Sequence, residues 1–163
     1  MLMHVVIYSD GAARGNPDGP GGYGTILQFT DSQGELHEKE ISEGFNPTTN
    51  NRMELMGAIA GLEALNRPCR VDLYSDSSYL VNAFEKNWMA GWIQRGWLTV
   101  SREPVKNQDL WQRLLVAAKP HEITWHWVRG HAGNALNERC DKLATKAADA
   151  MKGKSRPNRD ERL

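Results

Sequence analysis

Long hydrophobic runs are missing from this sequence. No apolar stretch approaches the roughly 20 residues needed to cross a bilayer, so no membrane association is expected. Cysteine is almost missing as well, with only Cys69 and Cys140 in 163 residues, far apart and without metal-ligand spacing. This excludes a disulfide framework and a thiolate zinc site, and it predicts two free thiols in a reducing compartment. The first residues lack the basic, apolar and small-residue succession of an export signal, so the cytoplasm is the expected location. Net charge is absent too, 20 Lys and Arg offsetting 20 Asp and Glu. That balance conceals an asymmetry. Residues 152–163 hold five basic and two acidic side chains, which leaves residues 1–151 at −3. An acidic body binds nucleic acid only through local basic patches, unless its acids recruit cations. The 152–163 tail lacks apolar periodicity and is expected to be disordered.

What is present is an ordinary globular composition, 40% hydrophobic and 25% charged. Residues 1–151 are enough for one domain with a real core. The run HVVIYSD at 4–10 reads as a strand with apolar residues on both faces, hence interior to a sheet. It ends on a carboxylate, Asp10, which is costly there unless something pairs with it. Gly11 to Gly22, GAARGNPDGPGG, reads as a turn or long loop. Strands are expected over 23–29 and 36–45, the second more exposed, joined by the turn DSQG at 31–34. These three strands suggest an antiparallel meander.

The period then changes. After the capping run TTNN at 48–51, residues 52–66 show helical spacing of Leu55, Ile59 and Leu62, and Pro68 closes the element. A strand over 71–75, a helix over 77–86 capped by Ser77, a helix over 107–118, a strand over 122–128 and a helix over 135–150 follow. Residues 88–106 are Trp-rich and irregular. Strands before and between helices predict an α/β domain with a mixed sheet.

Four acids stand out by position. Asp10 and Asp76 end strands, and each closes the same triplet, Tyr-Ser-Asp. Glu54 shares a helix face with Gly57, Ala58 and Gly61, small residues that let a helix approach a sheet closely. Asp141 follows Cys140 at the edge of the last helix's apolar stripe. A strand-end Asp also serves as a cap, a first-turn Glu suits the helix dipole, and Asp141 beside Lys142 also suits a surface. If the first and fourth strands are parallel neighbours, however, all four acids converge. Two like charges ~4 Å apart repel by about 4 kcal/mol at an effective dielectric of 20. A divalent cation is the natural resolution, and oxygen-only ligands favour Mg²⁺ or Mn²⁺ over zinc.

A set of ordered motifs carries a resemblance over about residues 5–148. These are SDG at 9–11, GNP at 15–17, GGYG at 21–24, TTNNRMEL at 48–55 and SDS at 75–77. PVKN at 104–107, DLW at 109–111, WVRGHAG at 127–133 and NERCD at 137–141 complete them. In these the chain resembles the ribonucleases H of the type-1 bacterial kind. The resemblance implies a five-stranded mixed sheet, an antiparallel meander followed by parallel strands, with helices on both faces. It implies a monomeric endonuclease that cuts the RNA strand of RNA–DNA hybrids with two Mg²⁺ ions, Mn²⁺ being a possible substitute. Asp10, Glu54, Asp76 and Asp141 match the metal-binding acids, and His131 matches a loop histidine suited to proton exchange. Asn16, Asn50 and Asn51 match contacts to the RNA strand's 2′-hydroxyls, and Thr49 and Asn107 match a pocket for a DNA phosphate. Trp88 and Trp92 match the DNA side of a basic protrusion, with Trp97 expected to pack inward. His4, His37, His121 and His126 are expected to be bystanders.

The sequence departs from the resemblance at two places. Ser78 stands where a longer Gln or Met is usual, which predicts one weaker minor-groove contact. Ile93, Gln94, Leu98 and Glu103 occupy protrusion positions that are often basic, which predicts a shallow salt dependence unless the tail compensates. Two alternatives stay open: a non-catalytic hybrid-binding domain, and a superfamily nuclease acting on DNA.

Overall fold

The structure, a computed structural model, describes residues 2–15, 18–130 and 133–160. Its five strands are β1 (Met3–Ala13), β2 (Gly19–Thr30), β3 (Leu36–Thr48), β4 (Cys69–Ser75) and β5 (Glu122–Trp127). They form one sheet in the order β3-β2-β1-β4-β5. The β1–β2 and β2–β3 pairs are antiparallel, and β1–β4 and β4–β5 are parallel. The helices are α1 (Asn50–Glu63), α2 (Ser78–Glu85), α3 (Trp88–Gln94), α4 (Gln108–Ala118) and α5 (Ala135–Ala150).

Helix α1 lies on β1 through its small-residue face, where Gly57 meets Ser9 and Gly61 meets Ile7. Each glycine costs an α-helix about 1 kcal/mol relative to alanine. The complete burial of Leu55, Ile59 and Leu62, at about 1.5–3 kcal/mol each, outweighs that cost. Thr49 caps the helix by accepting the Arg52 N–H at 3.2 Å. The helix ends at Glu63, before Pro68 is reached. Trp111 of α4 is fully buried among Tyr79, Phe84 and Trp92. Ser77 caps α2 as expected, accepting the Leu80 N–H at 3.1 Å. Cys69 and Cys140 are buried free thiols.

Three expectations need correction. The Gly-rich stretch 11–22 is not one long loop, because β1 runs on to Ala13 and β2 already begins at Gly19. Gly11 in this stretch admits the α1 backbone, and Gly22, with Gly24 and Gly44 beyond it, admits α5, which packs on the sheet with almost no space between backbones. A Cβ on Gly22 would stand 2.7 Å from the Ala144 carbonyl oxygen. One on Gly24 would collide with the Cys140 carbonyl, and one on Gly44 with that of Ala147. Residues 88–106 are not wholly irregular either. Helix α3 forms there, set off from α2 by Asn87 in the left-handed region at φ 56°.

The third correction concerns the tail. Residues 152–160, expected to be disordered, fold back along the end of β3. Asn46 and Arg156 exchange two backbone hydrogen bonds of 2.8 Å, and the Asn158 N–H donates to Pro47. The Arg156 guanidinium pairs with Glu43 and covers the Phe45 ring at 4.5 Å. The segment has no apolar stripe because its anchors are hydrogen bonds, an ion pair and a cation–π contact.

Candidate active site

Parallel pairing of β1 and β4 aligns Ser9 with Ser75, so Asp10 and Asp76 follow side by side. Glu54 comes from the first turn of α1, whose contact with β1 brings the Glu54 backbone against Gly11. Ligand oxygens of Asp10, Glu54 and Asp76 all lie within 4.8 Å of one another. Asp10 and Glu54 are only 4% and 5% exposed, so their mutual repulsion is poorly screened. Asp141 lies outside that 4.8 Å group, half-buried on α5, but its charge still reaches Asp10.

The electrostatics register this crowding. Burial, then the Asp76 charge, pushes the Asp10 carboxyl up to about 8, against the opposing 2.9 Å hydrogen bond from the Gly11 N–H. Burial also raises Glu54 well above the usual carboxylate range, helped by the charges of Asp10 and Asp76. The Glu54 Oε2 atom is buried and has no hydrogen-bond partner among the described residues. Such an atom is costly unless something satisfies it. A hard cation fits the set: carboxylate oxygens only, clustered, two of the three acids buried, and one buried oxygen unsatisfied among the described residues. Gly130 lies against this cluster, 3.0 Å separating its Cβ position from Asp76 Oδ2. His131 and Asn16 fall outside the described residues.

A second constellation joins the starts of α1 and α4. Asn50 and Asn51 are exposed in the first turn of α1. Arg52 turns inward, only 3% exposed, and every hydrogen-bonding nitrogen of its guanidinium has a partner. Nη1 and Nη2 bind the Asp109 carboxylate at 2.9 and 2.7 Å, Nη1 also reaches Asn107 Oδ1, and Nε reaches Asn158. Asn107, at φ 61° before α4, donates through Nδ2 to the Tyr79 hydroxyl, which also accepts from Trp111. The Asn107 N–H donates to Asp160 Oδ2 at 3.1 Å, and sequence reasoning missed Arg52, Tyr79 and Asp160 as members of this network. Their partners lie between 28 and 106 residues away, and no local pattern announces pairings at that range.

The third region is an open groove of about 500 Å³ lined by Trp88, Trp92, Arg95, Thr99, Val100 and Ser101. Trp88 is exposed at its rim, whereas Trp92 also packs on Trp97 and Trp111. Of the expected bystanders, His4 and His126 clasp the two oxygens of Asp72 at 2.6 and 2.8 Å. His37 bonds Asp31 in the hairpin turn, and His121 accepts the Cys69 N–H.

Comparison with known proteins agrees with this geometry. The sequence profile described as RNase H matches residues 3–149. A protein of Lachnoclostridium phytofermentans named Ribonuclease H is 63% identical over 147 residues, covering 90% of this chain and 93% of that protein. A namesake from Alcanivorax borkumensis is 54% identical, covering 94% and 97%. Among solved structures, that of LC9-RNase H1, described as a type 1 RNase H with the type 2 active-site motif, superposes with a TM-score of 0.83. It is 34% identical and covers 92% of this chain and 74% of that one. With the profile spanning nearly the whole sequence and its sheet order, buried acids and helix placement all in hand, this chain belongs to the RNase H family.

Proposed function

We infer that this chain is an endonuclease that hydrolyses the RNA strand of RNA–DNA hybrids, leaving 5′-phosphate and 3′-hydroxyl ends. The observation that carries this reading is the carboxylate trio at the meeting of β1, β4 and α1, with Asp10 and Glu54 buried and Asp76 half-buried, in a chain of this family. Asp10, Glu54 and Asp76, with Asp141 beside them, are the residues that would hold two Mg²⁺ ions, or Mn²⁺ in their place. When bound, such ions stabilise both the attacking and the departing oxygen of a phosphoryl displacement. The protein contributes rigidity: a sheet and a buried helix turn hold the carboxylates before substrate arrives. His131, which follows Gly130 in the sequence, serves proton exchange near neutrality.

Substrate contacts follow the two outer constellations. Asn50 and Asn51, exposed at the start of α1, and Asn16 read 2′-hydroxyls, the groups that distinguish RNA from DNA. Thr49 and Asn107 take a phosphate of the DNA strand, and Trp88 and Trp92 offer aromatic surface along it. Such contacts address backbone and sugar, so cleavage is independent of base sequence. The chain acts as a monomer in the cytoplasm, and none of its described helices is long and apolar enough to cross a membrane.

Mg²⁺-dependent cleavage of an end-labelled RNA–DNA hybrid tests the reading. Single-stranded RNA, duplex RNA and duplex DNA run beside it, with Asp10→Asn as control. Cutting of the hybrid alone, and only by the parent chain, is the expected result. Hybrid binding without cutting in either metal would make this a binding module, and preferential cutting of duplex DNA would place it among the DNA nucleases.

A further inference from the structure

The C-terminal residues carry more than charge. After pairing with Asn46, the segment reaches the junction of α1 and α4 and places two acceptors there. Asn158 receives the Arg52 Nε–H through its backbone carbonyl at 3.2 Å and its side-chain oxygen at 2.8 Å. Asp160, 8% exposed, receives the Asn107 backbone N–H at 3.1 Å through Oδ2. Asn107 is therefore held at three points: its N–H by Asp160, its Oδ1 by Arg52 and its Nδ2 by Tyr79. One amide hydrogen of Nδ2 remains, and the other bonds fix where it points. Thr49 is tied into the same unit, because its hydroxyl oxygen accepts the Arg52 N–H, which leaves its O–H hydrogen available to donate outward.

We propose that the C-terminal segment is a strap that sets the nucleic-acid contacts of this chain, with Asp160 as a positioning residue for Asn107 and Asn158 as one for Arg52. The inference rests on the reading of Thr49 and Asn107 as the holders of a backbone phosphate. It assigns a role to an acid in a segment whose composition suggests only basic attraction. The two roles predict opposite signs. If residues 152–160 acted by charge, removing the Asp160 carboxylate would tighten binding to a polyanion. If Asp160 acts by holding Asn107, the same change weakens binding, because a left-handed cap loses its anchor and its donors lose their aim.

The test is hybrid affinity by fluorescence anisotropy in EDTA, with steady-state cleavage kinetics in Mg²⁺, for Asp160→Asn, Asp160→Glu and Asn158→Ala. All are measured at least 15 °C or so below the unfolding midpoint of the weakest variant, so that loss of fold is not read as loss of binding. Asp160→Asn is expected to weaken binding about three- to tenfold, the worth of the charge assistance lost from one hydrogen bond whose acceptor becomes an amide oxygen, and to raise KM by a like factor with kcat within about twofold. Asp160→Glu recovers part of the loss. A Kd that is unchanged or lower in Asp160→Asn overturns the proposal, as does a fall in kcat alone. Deletion of residues 157–163 provides a second arm with the same expected direction and a larger shift. Should the parent chain itself fail to bind the hybrid, the functional reading falls and the strap with it. If the parent binds and the Asp160 variants match it, only the strap is lost.

Discussion

The Arg52 guanidinium grips the Asp109 carboxylate with two parallel hydrogen bonds, 2.9 and 2.7 Å, and so ties the first turn of α1 to the first turn of α4. The partners are unequal: Arg52 is 4% exposed at its side chain and Asp109 is 48% exposed. The arginine is therefore the member whose removal is felt. Arg52→Ala leaves Asn107 Oδ1 and the Asn158 acceptors without their donor and is expected to cost about 2–3 kcal/mol. Asp109→Asn, half in water, should cost under about 1 kcal/mol. Urea unfolding of both variants checks the asymmetry, and equal losses would contradict it.

The raised carboxyls predict an unusual pH profile for the metal-free protein. Asp10 titrates near 8 in the folded state and near 3.8 when unfolded. Between those values the folded chain holds a proton that the unfolded chain has released, so stability falls as pH rises. Glu54 is raised as well and adds to the same slope. Asp72, held low by His126 and His4, acts oppositely but lower: its contribution is full above about pH 4 and is lost as acid is added. The unfolding midpoint in EDTA should therefore drop from pH 5 to pH 8, and Mg²⁺ should raise it more at pH 8 than at pH 5. Calorimetry at the two pH values decides, a flat profile being the adverse result.

Asp10→Asn separates stability from activity. It removes one charge from a buried cluster in which like charges ~4 Å apart repel by about 4 kcal/mol at a dielectric of 20. Partial protonation already relieves some of that repulsion. The metal-free variant should gain about 1–3 kcal/mol at pH 8, or roughly 2–12 °C in midpoint. Cleavage should fall on the order of 10³-fold or more, because an electrostatic ligand is lost from the reacting centre. A variant that is both slower and less stable would show that Asp10 is held by the fold and not strained within it.

The two groove tryptophans should separate in a similar way. Trp88 is exposed at the rim, so Trp88→Ala is expected to raise KM about threefold or more with little change in stability. Trp92 packs at a tilt on the buried Trp111, with 5.3 Å between ring centroids, so Trp92→Ala should also destabilise, by about 2 kcal/mol or more. Thermal melts beside hybrid-binding curves distinguish the pair.

Much of this was legible in the sequence. The alternation of HVVIYSD, the capping run before Arg52 and the repeated Tyr-Ser-Asp are local patterns, and they located β1, α1, β4 and three of the acids. Gly22 of β2 was misread because a glycine needed for helix contact and one needed for a turn look alike until α5 is in place. The tail was misread for a related reason. Its anchors on Glu43, Arg52 and Asn107 are one-to-one polar pairings that leave no period in the sequence. Composition reports how much a segment can bury but is silent about which partners await it.

The in-register β1–β4 pair divides the molecule by its tolerance of length changes. One residue added between Cys69 and Ser75 would shift Asp76 by a single step and turn the following side chains to the opposite face of the sheet. The far edge obeys no such restriction. The β2–β3 turn over 31–35 is mostly exposed, and it projects from the end of that hairpin opposite Gly19 and Thr48. A reporter peptide or a tether could be spliced there while the carboxylates kept their spacing, so this turn is where the chain can be lengthened, immobilised or fused.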